Sequence, residues 1–225
     1  MNGPLIQFLQ GVTQGDTALM GSSLIVIALL LLVCFPVHEF AHAYVATLLG
    51  DDTARLMGRV TLNPLAHLDP IGSIFFLVAG FGWAKPVPVT PYRLNGDART
   101  SMALVALAGP ASNILLAIAF AIMYRVVRPV LGTDTSFVGL TVQDALITAV
   151  FLNLILALFN IIPIPPLDGS RILAALLPEE GARLMSMIER YGFMVLMVIT
   201  FAVPALMTSL VMAPASSLAR LLLGF

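Results

Sequence analysis

Two histidines placed one helical turn apart are the strongest chemical feature of the sequence. They belong to the run His38-Glu39-Phe40-Ala41-His42, an HExxH pattern. On a helix, residues four apart project from nearly the same face, so the two imidazoles can bind one Zn²⁺. Glu39 then lies beside the metal, where a carboxylate can act as general base on a zinc-bound water. The alternative is a pair of core histidines that hydrogen-bond between helices.

Two imidazoles leave a catalytic zinc short of one protein ligand. The chain has only three histidines and one cysteine, so the further candidates are His67, in NPLAHLDP, and the acidic residues. Asp168, in the run PPLDG, directly follows a long apolar stretch. Aspartate before glycine is also common at turns and helix starts. From spacing alone, a metal ligand and a helix cap are equally good interpretations of Asp168.

The composition identifies the elements that must position these groups as membrane-spanning helices. The 225 residues are 59% hydrophobic and 10% charged, whereas soluble domains are about 45–50% apolar and about 25% charged. This excludes an ordinary soluble domain, and a net charge of −1 without a basic patch excludes a nucleic-acid-binding protein. Ionisable groups inside a membrane are costly and usually functional, which favours a metal site over a structural histidine pair.

The apolar stretches predict four clear spans. A spanning helix needs about 20 mostly apolar residues, and the candidates are Gly21–Leu49, Met102–Tyr124, Val142–Ile162 and Phe193–Met212. Pro36 inside the first span predicts a kink or loosened turn there. Ile71–Trp83 is short for a span and suits a re-entrant segment better. The prolines of AKPVPVTP, which follows it, favour extended or turned backbone.

The basic residues predict the orientation. If residues 50–100 return to the side that they left, eight of the eleven basic residues share one side of the membrane, which the positive-inside rule makes cytoplasmic. His38, His42 and Asp168 then lie at similar depth toward that side. The eight residues are Arg55, Arg59, Lys85, Arg93, Arg99, Arg171, Arg183 and Arg190, and the opposite side has Arg125, Arg128 and Arg220.

Two asparagines also stand in apolar surroundings. Asn113 lies in the second predicted span, and Asn160 lies eight residues before Asp168. An asparagine amide can hydrogen-bond across helices or orient a bound peptide. Bonding between helices is the simpler interpretation of both. Gly109, near Asn113, would allow two helices to approach closely.

Three motifs in order resemble those of the site-2 protease family of intramembrane zinc metalloproteases. They are HEFAH at 38–42, AGPASN at 108–113 and NIIPIPPLDG at 160–169, and the similarity extends over most of residues 20–190. The resemblance implies one Zn²⁺ per chain, held by His38, His42 and Asp168. It implies that Glu39 is the general base. It also implies, less directly, that Asn113 and Asn160 hold the substrate or stabilise the oxyanion.

The resemblance is to the short, compact branch of that family, without a PDZ domain. It implies that the segment from Arg59 to Val89 is a re-entrant, β-like element that pairs with an unwound substrate. His67 is outside the three-ligand pattern. It is either a second-shell or inhibitory ligand, or a loop residue hydrogen-bonded to backbone, and we favour the loop residue.

The expected fold is an all-α membrane protein, a polytopic bundle of about four to five transmembrane helices with a re-entrant, partly β-like segment. We expect a single domain over residues 1–225, with an N-terminal segment at 1–20, the re-entrant segment at 59–90 and a C-terminal interfacial segment at 213–225.

The expected function is hydrolysis of peptide bonds in transmembrane segments of membrane proteins by a Glu-activated, zinc-bound water. The expected partners are transmembrane substrates and the lipid bilayer, without nucleic acid, in a prokaryotic cell membrane and with the active site toward the cytoplasm. The alternatives are a membrane zinc transporter or sensor, and a non-catalytic scaffold that binds membrane helices. Retention of Glu39, which binding alone does not require, favours the enzyme.

Overall fold

The protein is a helical bundle without a regular β-strand in the part of the chain that the structure describes. A computed structural model describes residues 3–131 and 137–225. Its helices are α1 (Pro4–Gln14), α2 (Thr17–Leu29), α3 (Phe35–Leu48), α4 (Thr53–Leu56), α5 (Pro70–Ala79), α6 (Ala98–Leu131), α7 (Phe137–Ile161), α8 (Asp168–Leu176), α9 (Glu179–Ala202), α10 (Pro204–Met207) and α11 (Ala213–Leu223). Short 3₁₀ turns form at Pro64–Ala66 and Pro91–Arg93.

Five helical stretches of the described chain are long and apolar enough to cross a membrane. They are Thr17–Leu48, Ala98–Val130, Val142–Ile161, Glu179–Ala202 and Pro204–Leu223. The all-α, multi-span membrane fold expected from the composition is therefore confirmed. The first three stretches contain or closely match the first three predicted spans.

The fourth predicted span differs from the structure. Its helix is interrupted at Val203, which has φ −129° and ψ 61°, and a new helix begins at Pro204. Proline disfavours helical backbone at the residue before it and lacks an N–H donor, which explains the break. The predicted C-terminal interfacial segment, 213–225, contains the helix Ala213–Leu223, which is the second half of the last candidate span.

The backbone loosens in front of two helical prolines. A π-helical turn occupies Leu30–Cys34, immediately before the turn that contains Pro36, and another occupies Thr208–Met212, before Pro214. A proline ring clashes with the carbonyl four residues earlier, and a wider turn relieves that clash. The loosened turn predicted at Pro36 is thus present.

The predicted re-entrant segment contains the short apolar helix α5. Asp69 caps its start by accepting a hydrogen bond from the Gly72 amide at 2.7 Å, and Gly80 ends it with φ +75°. The β-like character is not confirmed, because the described part of this segment forms no strand and only an isolated antiparallel bridge between Leu68 and Ala84. Re-entry into the membrane remains a prediction.

Helix α6 is the centre of the bundle and packs against α3, α7 and α8. Small residues allow the close approach: Ala117 and Ala121 of α6 are buried against α7, and Ala215 and Ala219 bring α11 into the same core. Because α3, α6 and α8 meet, residues from three distant parts of the sequence converge on one site.

Candidate metal centre

His38, His42 and Asp168 form a compact group in the interior of the bundle. The two histidine Nε2 atoms are 3.0 Å apart. The Asp168 Oδ2 atom is 3.2 Å from Nε2 of His38 and 3.3 Å from Nε2 of His42. Both rings are buried, and the carboxyl group is mostly so. The three residues can offer one ligand atom each to a single metal ion.

The local sequence explains how Asp168 reaches the histidines. It is the first residue of α8, directly after the proline-rich turn that ends α7, and Leu167 before it has extended backbone. A side chain on Gly169 would collide with the backbone of Ile161, so only glycine lets α8 begin this close to α7. The Asp168 carboxylate faces the imidazoles, which supports the metal-ligand interpretation over a helix cap.

Both imidazoles are held through Nδ1, the ring nitrogen that does not face Asp168. The Nδ1 of His38 is 2.6 Å from Oδ1 of Asn113, and the Nδ1 of His42 is 2.7 Å from the backbone carbonyl of Val105. These oxygens only accept hydrogen bonds, so each Nδ1 carries the proton and donates it. Each Nε2 then presents a lone pair toward Asp168. Such partners fix the tautomer and orientation of metal-binding histidines.

The donor set fits a cation. Two Nε2 lone pairs and a carboxylate lie within 3.3 Å of one another, and three acceptors that close repel each other unless a positive charge lies between them. The Asp168 Oδ2 atom is buried without a hydrogen-bond partner among the described residues. Two imidazoles and one carboxylate are a ligand set of catalytic zinc sites.

Gly109 on α6 leaves the space that a metal ion needs. A Cβ atom built on Gly109 would collide with Nε2 of His42 and lie 2.5 Å and 2.6 Å from Cε1 and Nε2 of His38. The close approach expected of this glycine therefore occurs against the two imidazoles. Any larger residue would fill the position in front of the ligand atoms.

Glu39 is half-buried next to His38 and makes no hydrogen bond to a described residue. Its carboxylate is therefore free to accept a proton. Its charge also acts on Arg59, a buried residue of the following loop. Burial lowers the pKa of the Arg59 guanidinium, and the Glu39 charge opposes that shift.

The other predicted residues lie outside the metal group. Asn160 is half-buried, and its Nδ2 donates to the Leu156 carbonyl of its own helix at 2.9 Å. His67 is fully buried in the loop before α5, and its Nε2 donates to the Thr61 carbonyl at 2.7 Å. This contact is the one expected of a loop residue bonded to backbone.

Sequence reasoning missed Asn153 of α7 and the Val105 carbonyl. Asn153 is fully buried and accepts a hydrogen bond from Asn113 at 2.8 Å. Its signal in the sequence is that of Asn113 and Asn160, an amide side chain in strongly apolar surroundings. The Val105 carbonyl has no signal, because every residue has one.

Three anchors fix the extended segment at 84–90 near the site. The Lys85 amide donates to the His67 carbonyl at 2.7 Å, and the Arg59 guanidinium donates to the carbonyls of Lys85 and Pro86 at 2.5 and 3.0 Å. The Thr90 amide donates to the buried Asp51 carboxylate at 2.5 Å.

The Asp51 carboxylate is stabilised in its charged form. Burial raises the pKa of Asp51, but hydrogen bonds from the Thr53 hydroxyl and from the Thr90 and Thr53 amides outweigh burial and hold that pKa below its usual 3.8. The same bonds tie the end of α3 to the extended segment.

These features define a multi-pass membrane protein with a buried His-His-Asp group that could hold a metal ion. The chain belongs to peptidase family M50, the site-2 protease family of zinc metalloproteases, whose sequence pattern matches residues 26–138 and 125–203. The protein is thus a zinc metalloprotease of this family.

Named relatives agree with this membership. The Bacillus subtilis protein "Putative zinc metalloprotease YwhC" is 47% identical over 171 residues, which cover 75% of this chain and 77% of the relative. "Putative zinc metalloprotease Rip2" of Mycobacterium tuberculosis H37Rv is 30% identical over 210 residues, covering 89% of this chain and 75% of the relative. Rip2 of Mycolicibacterium smegmatis is 29% identical, and the match covers 75% of this chain and 63% of the relative. No solved structure matches the chain.

Proposed function

We propose that this protein hydrolyses peptide bonds within the membrane-spanning segments of other membrane proteins. The observation that carries the proposal is the burial of a His-His-Asp group, with Glu39 beside it, among helices of membrane length. A protease whose metal ligands are buried among such helices acts on peptide bonds that reach the interior of the bundle.

In this proposal His38, His42 and Asp168 hold one zinc ion. When bound, zinc lowers the pKa of a coordinated water toward about 7 and polarises the scissile carbonyl. Glu39 accepts the proton of the attacking water and delivers it to the leaving amine. Its freedom from hydrogen bonds supports this role, since a carboxylate already occupied by donors is a weaker base.

A helical substrate must unwind before hydrolysis, because its own hydrogen bonds shield its backbone. The segment Lys85–Val89 is suited to capture the unwound strand. Within this segment, the carbonyls of Lys85 and Pro86 accept hydrogen bonds from Arg59. The amides of Val87 and Val89 donate to no described residue. These two amides lie two residues apart and are available to a substrate strand.

The two asparagines receive different roles. Both ends of the Asn113 amide are engaged, with Oδ1 on His38 and Nδ2 on Asn153, and the side chain is fully buried. We therefore assign Asn113 to positioning His38 rather than to contacting substrate. Asn160 is only half-buried and precedes the turn to Asp168, so it remains our candidate for stabilising the oxyanion.

The orientation supports a cytoplasmic active site. Asp168 lies just beyond one end of α7, whereas Leu146 near the other end shares a core with Tyr124 and Leu223. Arg125 belongs to that far end, because it donates to the Leu221 carbonyl at 3.0 Å. The metal group is therefore remote from the few basic residues assigned to the outer side.

The test compares cells that express the wild type with cells that express Glu39→Gln. Mass spectrometry of peptide termini in membrane fractions should find new termini inside membrane-spanning segments in the wild-type sample only. Zinc analysis of both purified proteins is the control, because Glu39→Gln should retain zinc. Termini restricted to loops, or an identical set in both samples, would contradict the proposal.

A further inference from the structure

A chain of buried amides connects helix α7 to the His38 ring. Asn153 donates through Nδ2 to the Ala149 carbonyl at 2.8 Å and accepts through Oδ1 from Asn113. Asn113 in turn accepts from Nδ1 of His38 at 2.6 Å. Asn153 and Asn113 are both fully buried, so water does not compete for these bonds.

The hydrogen bonds that join these amides can run in only one donor-to-acceptor direction. The Ala149 carbonyl can only accept, so the nearby end of the Asn153 amide is its NH₂ group. The Asn153 oxygen then faces Asn113, which must donate a hydrogen bond to it from its own NH₂ group at 2.8 Å. The Asn113 oxygen is left for His38, and Nδ1 of that ring must donate. The direction set at a backbone carbonyl thus decides that Nε2 of His38 is the nitrogen without a proton.

We propose that Asn153 fixes the metal-binding tautomer of His38, acting through Asn113. This inference rests on the proposed zinc site, since it concerns the availability of one of its ligands. Asn153 is a positioning residue, because it touches neither the metal group nor Glu39. His42 does not need such a partner, because its Nδ1 donates directly to the Val105 carbonyl. A backbone carbonyl can only accept, so it cannot present a donor to the ring.

Removal of Asn153 would allow the side-chain amide of Asn113 to rotate by half a turn, which exchanges the positions of its oxygen and its NH₂ group. In Asn153→Leu, the apolar side chain provides no acceptor, so nothing holds the NH₂ group of Asn113 away from His38. A turned amide offers a donor to Nδ1 and thereby favours the proton on Nε2, which blocks metal binding. Loss of such outer partners typically weakens metal affinity about 10–100-fold, and we expect a loss in this range.

The first measurement is zinc affinity by competition with a chelator in detergent. Asn153→Leu should bind zinc about 10–100-fold more weakly than the wild type. Thr200→Val is the matched control, because Thr200 is also a buried polar residue of a candidate span and its hydroxyl has no described partner. Equal affinity in the wild type and Asn153→Leu would overturn the inference.

A rescue variant separates amide direction from packing. An aspartate at position 113 has two acceptor oxygens and cannot offer a donor to His38 in either orientation. Asn113→Asp combined with Asn153→Leu should therefore recover zinc affinity relative to Asn153→Leu alone. If Asn153 only fills space, the double variant will stay as weak as the single variant or become weaker, and that result would contradict the inference.

The second measurement is ¹⁵N–¹H NMR of zinc-saturated protein labelled at histidine, which is practicable because the chain has three histidines. In the wild type, His38 should be protonated at Nδ1 and ligated through Nε2. In Asn153→Leu, the Nδ1 proton signal of His38 should shift upfield, while that of His42 stays. A wild-type His38 protonated at Nε2 would overturn the inference without any variant.

The two proposals fail in different ways. Zinc binding that survives His38→Ala would refute the zinc site itself and, with it, the role of Asn153. Zinc binding that His38→Ala abolishes but Asn153→Leu leaves intact would refute the role of Asn153 alone.

Discussion

Replacement of Gly109 by alanine is expected to abolish tight zinc binding although it adds only one methyl group. The added Cβ would lie 2.5 Å from Cε1 and 2.6 Å from Nε2 of His38, and it would collide with Nε2 of His42. Carbon atoms in contact settle at about 3.5–4.0 Å. The His38 ring therefore has to retreat by about 1 Å, given the 2.5 Å separation.

A displacement of this size is large compared with a metal–ligand bond. Zinc–nitrogen bonds measure about 2.0–2.1 Å and tolerate deviations of about 0.2 Å. The displaced ring would no longer ligate the ion, and we expect zinc affinity to fall by at least about 100-fold, which is ~2.8 kcal/mol. The change does not disturb the helix, because alanine has a higher helix propensity than glycine.

Chelator competition on purified protein measures the effect, and thermal unfolding in detergent checks the fold. Gly21→Ala is the matched control: Gly21 is also a helical glycine in a candidate span, and its added Cβ would meet nothing within 4 Å. Gly21→Ala should bind zinc like the wild type. If Gly109→Ala also binds zinc at wild-type affinity, the metal does not occupy the space between α3 and α6.

Further predictions concern the zinc ligand on α8 and the extended segment. Asp168→Asn should lower the zinc content of purified protein to background without unfolding it, and full retention of zinc would exclude Asp168 as a ligand. Arg59→Met should weaken cleavage mainly through KM, because the carbonyls of Lys85 and Pro86 lose their donors, and an unchanged KM would separate this segment from substrate binding. The stabilising contribution of Asp51 is complete above its usual pKa of 3.8 and is lost as the pH falls through its lowered pKa. The thermal midpoint should therefore drop more steeply below pH 4 in the wild type than in Asp51→Asn, and parallel curves would contradict this role.

The grouping of His38, His42 and Asp168 could be predicted from the sequence because their geometry is local or set by topology. His38 and His42 are one turn apart on any helix, and Asp168 was expected at a similar depth from the apolar spans if residues 50–100 return to the side that they left. The structure brings the three together within 3.3 Å. Spacing left open the choice between ligand and cap for Asp168, and the resemblance to a known family favoured the ligand.

The outer partners of the ligands could not be predicted in the same way. Asn153 meets Asn113 only because α6 and α7 have particular rotations about their axes, and hydrophobic patterning does not fix rotation when helices are apolar on all sides. A backbone carbonyl such as that of Val105 has no sequence signature. The break at Val203 was missed because a proline within an apolar run is compatible both with a kinked span and with two helices.

X-ray absorption spectroscopy at the zinc edge of the purified protein observes the ligands of the proposed zinc site themselves. We predict one zinc per chain with two imidazole nitrogens at about 2.0–2.1 Å and carboxylate oxygen at about 2.0–2.2 Å. A variant that combines His38→Ala with His42→Ala should hold no zinc and therefore show no zinc absorption edge above background. A sulfur ligand, a third imidazole from His67, or an unchanged spectrum in that variant would exclude a zinc site made of His38, His42 and Asp168.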